Sequence, residues 1–109
     1  MAKVNIEDIT DRIEAAIQAL VSPQTTEPVW VTHYGANDIH PKHLVYWICV
    51  ASEQERQKLS TNQQLNHDLR ALLVTHDYPI EGRAGVRIGF ESQAAVDRDS
   101  GGNWRHHWQ

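Results

Sequence analysis

The chain of 109 residues carries seven histidines, one cysteine and fourteen acidic side chains with which it could do chemistry. The densest local set is His33, Asp38, His40 and His43. A zinc site needs three or four ligands converging on one point, usually with a recognisable spacing. These residues match neither HExxH nor a paired CxxC pattern, and no carboxylate motif with its own signature accompanies them. His106 and His107 are adjacent, so in an extended strand they point to opposite faces and do not chelate one ion together. The reading is therefore no metal and no cofactor. The His33/Asp38/His40/His43 region is kept as the alternative, a small enzyme or a ligand- or metal-binding protein.

Covalent and acid–base chemistry have little to stand on. Cys49 lies inside the apolar run LVYWICV, where a thiol is a small buried hydrophobe and burial raises its pKa, opposing thiolate formation. No GxSxG elbow is present. Asp97 and Asp99 flank Arg98 on an expected helix, where residues two apart diverge and do not form a carboxylate pair. The glycines of EGRAGVRIG fit neither the dinucleotide fingerprint nor the phosphate-binding loop. With a formal net charge of −4, binding to a phosphate backbone is not expected either, because Arg83 and Arg87 are flanked by Glu81 and Glu91. No catalytic residue is assigned, and the reading leans away from an enzyme.

What remains is aromatic. Four tryptophans and three tyrosines are more than the core of a domain this size needs. In VWVTHY, alternation puts Trp30, Thr32 and Tyr34 on one face and Val29, Val31 and His33 on the other. In the final NWRHHW, Trp104, His106 and Trp108 share one face, and Arg105 and His107 the other. Aromatic residues with arginine are the usual anchors of protein contacts. Trp30, Tyr34, Trp47, Arg105 and His107 are therefore the expected partner-binding residues. The function expected is that of a small non-enzymatic interaction domain, such as an inhibitor, an immunity-type protein or an adaptor. Acidic side chains at Asp8, Asp11, Glu14, Glu53 and Glu55 point to a basic protein partner, and a homodimer through a sheet edge is a further possibility.

The elements that must position these residues follow from periodicity. Ile6, Ile9, Ile13, Ile17 and Leu20 make one helical stripe, with Asn5 as its expected cap and Pro23 as its stop. VWVTHY and HLVYWICVA read as strands, the second apolar on both sides and hence central. Capping boxes at Ser52–Glu55 and Thr61–Gln64 predict a short helix, a break near Ser60 and a longer helix from about Asn62 to Thr75. AGVRIGF predicts a strand with Val86, Ile88 and Phe90 inward and Gly89 outward, open to a close approach. Ser92 caps a short helix, and Gly101-Gly102 turns the chain into a last strand over 104–108.

The resulting order, α-β-β-α-β-α-β, predicts one α+β domain over residues 1–109, with a four-stranded, mainly antiparallel sheet packed by two main helices. That order is similar to a ferredoxin-like arrangement whose first strand has moved to the C-terminus, a likeness of architecture that implies no function. No stretch is long and apolar enough for a membrane helix, and the N-terminus does not read as a signal peptide. With a single cysteine, the expectation is a cytoplasmic protein.

Overall fold

Ile9, Ile13, Ile17 and Val21 repeat every four residues, and all four are buried along one stripe of the first helix, α1 (Ile6–Val21). The structure, a computed structural model, describes residues 6–34 and 43–100. The expected cap Asn5 and the last strand over 104–108 lie outside the described residues. Pro23 sits in a single 3-10 turn, Ser22–Gln24, directly after α1, and the chain leaves it extended at Thr25.

Three strands follow: β1 (Trp30–Tyr34), β2 (Val45–Val50) and β3 (Arg87–Ser92). β2 is the centre. It runs antiparallel to β1, with Trp47 opposite Thr32, and parallel to β3, with Trp47 beside Gly89. The sheet is thus three-stranded and mixed among the described residues, not four-stranded and mainly antiparallel. The parallel pairing of β2 with β3 follows from the connection. Between β2 and β3 the chain builds α2 (Glu53–Ser60), α3 (Gln63–Thr75) and α4 (Ile80–Arg83), long enough to return β3 in the direction of β2. Direct pairing of β2 with β3 also departs from the ferredoxin-like order, in which a further strand separates them. The class that stands is α+β.

Alternation sorts the sheet. Val31 and His33, Tyr46, Ile48 and Val50, and Ile88, Phe90 and Ser92 face inward, where α1 and the Leu65, Leu69 and Leu73 stripe of α3 join them in one core. Tyr46 is fully buried, and its hydroxyl donates to Thr10 O at 2.6 Å, which satisfies the group and fixes β2 beneath α1.

Local signals set most boundaries. Ser52 Oγ accepts from Glu55 N at 3.2 Å and starts α2. At the second break the cap is Asn62, whose Oδ1 accepts from Leu65 N at 3.0 Å, and not Thr61. Thr61 instead closes α2 through Gln57 O, using both its N–H and its hydroxyl. Asp77, at φ 56°, ends the turn after α3 in a left-handed conformation that Asp tolerates better than most residues. The short α4 was not expected and delays β3, which begins at Arg87 and not at Ala84. Arg70 of α3 holds this corner by donating to Val86 O at 2.5 Å and Arg83 O at 2.8 Å.

Two carboxylates tie the C-terminal end of β2 to its neighbours. Glu27 accepts from Ala51 N (3.1 Å), Ser52 N (2.9 Å) and Ser52 Oγ (2.6 Å). The Ser52 hydrogen bonds hold its pKa below the usual carboxylate value. Glu53 accepts from Arg56 and, at 2.7 Å, from the buried Ser92 hydroxyl. Ser92 Oγ also accepts from Ala95 N at 3.1 Å, which starts α5 (Gln93–Ser100) as its sequence predicts. One serine therefore joins β3, α2 and α5.

Hydrogen bonds from Arg56 and Ser92 hold the Glu53 carboxyl down to about 2. A depressed carboxylate contributes stability that is complete above its unfolded value and is lost as pH falls toward the folded one. Thermal midpoints taken from about pH 5 down to about pH 2.5 should therefore fall less steeply for Glu53→Gln than for the parent chain. Parallel curves would remove Glu53 from the acid sensitivity of the fold.

Candidate functional site: the outer face of the sheet

Because the helices that share the core lie on the inner side, the residues of opposite parity form a second face. Its rows, read across the strands, are Tyr34–Val45–Arg87, Thr32–Trp47–Gly89 and Trp30–Cys49–Glu91. Three of the residues expected to bind a partner, Trp30, Tyr34 and Trp47, are brought together here. Arg105 and His107 lie outside the described residues. Arg87, read from sequence only as an outward residue, is exposed at the end of the Tyr34 row.

Trp47 organises the face. A Cβ placed on Gly89 would lie 2.7 Å from Trp47 Cζ3, so the six-membered edge of the indole rests on the β3 backbone. At its other edge, Nε1–H donates to the Tyr34 hydroxyl on β1 at 3.4 Å. The ring thus reaches both neighbouring strands and lies along the sheet. The close approach foreseen at Gly89 is made by this side chain and not by a ligand. Tyr34 is 47% exposed and Trp30 36%, which leaves aromatic surface on both sides of Thr32.

Cys49 belongs to the same face but is fully buried. Burial first, and then the charge of Glu91, pushes its thiol up to about 12. A group so rarely ionised is a poor nucleophile. It is structural.

Of the histidine region, His33 and His43 are described. His33 turns inward, where Nδ1–H donates to Glu14 Oε1 at 2.8 Å, Nε2 lies 3.8 Å from Asp11 Oδ1, and the ring packs 5.4 Å from that of Tyr46. His43 is exposed ahead of β2, and Asp38 and His40 lie outside the described residues. Among the described residues no group of three or more His, Cys, Asp or Glu is arranged to hold a metal ion. The His33–Glu14 pair was missed from sequence. Alternation placed His33 with Val31, facing inward, but nothing local named a helix carboxylate nineteen residues earlier as its partner.

The acidic residues expected to steer a partner are partly engaged within the fold. Glu14 holds His33, Glu53 holds Arg56 and Ser92, and Glu55 lies 3.5 Å from Lys58. Asp8 and Asp11 remain exposed on α1. No described helix is long and apolar enough to cross a membrane. Comparison of the chain with family models, with curated proteins and with solved structures gives no match in any of the three.

The burial of Cys49 is checked by its reactivity. A disulfide-forming reagent at neutral pH should modify the folded protein at least about a hundredfold more slowly than the denatured chain, because both access and the thiolate fraction are reduced. Comparable rates would place Cys49 at the surface.

Proposed function

We propose that this chain is a small non-enzymatic interaction domain that binds another protein through the outer face of its sheet, as an inhibitor, an immunity-type protein or an adaptor does. The observation that carries this reading is the convergence of Trp30, Tyr34 and Trp47 on the face turned away from the core, with Arg87 at its margin. Trp, Tyr and Arg provide large contact areas with few rotatable bonds, and they dominate the energetics of protein interfaces. Trp47 is already fixed by Gly89 and Tyr34, so little side-chain entropy is lost when a partner covers it.

A net charge of −4 favours a basic partner met in the cytoplasm by long-range steering only, since the exposed Asp8 and Asp11 sit on α1, on the inner side of the sheet, and not on the binding face. The alternative, a ligand or metal site around His33, Asp38, His40 and His43, has less support because His33 is committed to Glu14.

The test compares capture from a lysate by the parent chain and by a Trp30→Ser/Tyr34→Ser variant whose fold is confirmed by circular dichroism. Truncating an interface anchor costs about 2 kcal/mol or more, or about 30-fold in affinity. The reading expects a stoichiometric protein partner that the variant loses. Equal capture by the variant would overturn the assignment of the face. A tightly bound metabolite or metal in the purified protein, with no protein partner, would overturn the function.

A further inference from the structure

We propose that Tyr34, Val45 and Arg87 form a carboxylate-binding site on the outer face, filled by an acidic side chain of the protein partner. The inference rests on the proposed function for the source of that carboxylate.

The three residues make one row across the strands, Tyr34–Val45–Arg87. Adjacent strands lie about 4.8 Å apart, so the two end residues stand about 10 Å apart across β2, a gap that a tyrosine and an arginine both reach into. Tyr34 leans that way, because its hydroxyl accepts from Trp47 Nε1 on β2 at 3.4 Å. That bond uses a lone pair of the oxygen and leaves the phenolic proton to be donated. Val45 is half-buried and forms an apolar floor, while Tyr34 and Arg87 are exposed. A carboxylate seated over Val45 can accept from both. Among the described residues no pocket encloses the row, which favours a side chain offered by a macromolecule over an engulfed small molecule.

The positive charge here is not spent within the fold. Arg70 donates to Val86 O at 2.5 Å and to Arg83 O at 2.8 Å, and Arg83 donates to Tyr78 O at 2.6 Å. Carbonyls accept these bonds without cancelling the charges, so both guanidinium groups back Arg87 at the start of β3. Asp77 and Glu81 lie on the same connection, yet among the described residues no ion pair joins a carboxylate to Arg70, Arg83 or Arg87. Glu91 flanks Arg87 in sequence but not in space. Four strand residues set it roughly 13 Å away, in the row of Trp30 and Cys49. Residues 1–5, 35–42 and 101–109 contain one acidic side chain, Asp38. The net charge of −4 steers a basic partner over distance, and at contact this row selects a carboxylate on it.

The test follows the amides of the labelled full chain by NMR at low ionic strength while a hexaglutamate peptide is added. Saturable shifts are expected at Tyr34, Val45 and Arg87. Arg87→Gln should weaken binding at least about tenfold, as loss of a hydrogen-bonded charge does. Arg12→Gln, an equal change of charge at an exposed position of α1, should leave it unchanged. Equal weakening by both variants, or no saturable shift, would overturn the site. So would tighter peptide binding by Asp38→Asn, which would show the chain's own carboxylate filling the row, or a preference for an oligothymidylate. The peptide titration needs no natural partner, so it is separable from the capture experiment. Peptide binding with capture unaffected by Trp30→Ser/Tyr34→Ser would remove the proposed function, and with it the source of the carboxylate. Capture lost in that variant, with no peptide binding, would remove the carboxylate site alone.

Discussion

Tyr46 places a full aromatic ring and a hydroxyl at the centre of the core, and the Tyr46–Thr10 hydrogen bond makes this possible. A buried hydroxyl without a partner would cost about 1–3 kcal/mol. Thr10 O accepts it from one turn of α1, and this sets both the height and the rotation of that helix over β1 and β2. The Ile9, Ile13, Ile17 and Val21 stripe can then close on Ile48 and Val50. The same placement brings Glu14 within reach of His33, whose ring packs on Tyr46. α3 completes the layer through its leucines, and the inner face of the sheet is filled.

The division of labour between the two faces follows. The β2-to-β3 connection builds α2, α3 and α4, and its leucines Leu59, Leu65, Leu69 and Leu73 enter the inner core. Glu27, Ser52, Glu53 and Ser92 then close the C-terminal end of the strands, where they cap α2 and α5. Near Cys49 the outer face is sealed. Toward Tyr34 and Arg87 it presents aromatic and cationic surface. Trp47 joins these regions by lying across Gly89, which is why glycine stands at that position of β3.

Features governed by neighbours in sequence were legible. Apolar spacing gave α1, paired capping signals gave the α2–α3 break, and Ser92 ahead of an alanine-rich stretch gave α5. Alternation alone put Trp30 and Tyr34 on one face and His33 on the other. Strand direction was not legible, because β2 and β3 carry the same alternating pattern whether they run parallel or antiparallel. Only the course of the 36-residue connection between them decides it. α4 escaped notice because its four residues include a glycine and lack a side-chain cap. The identity of the Trp47 cradle was half visible: Gly89 announced a close approach, but its occupant comes from the neighbouring strand. The roles of Glu14, Glu27 and Arg70 depend on how whole elements dock, and no local pattern encodes them.

Everything above depends on β2 running directly beside β3, in parallel, with the Trp47 indole lying over Gly89. Proton–proton cross-relaxation measured by NMR on the labelled protein tests it at the atoms involved. Strong contacts are expected from the six-membered ring protons of Trp47 to both Gly89 α-protons, together with the amide-to-α pattern of a parallel pair from Val45–Arg87 through Val50–Ser92. Close α-to-α contacts between β2 and β3, or a third strand found between them, would contradict it.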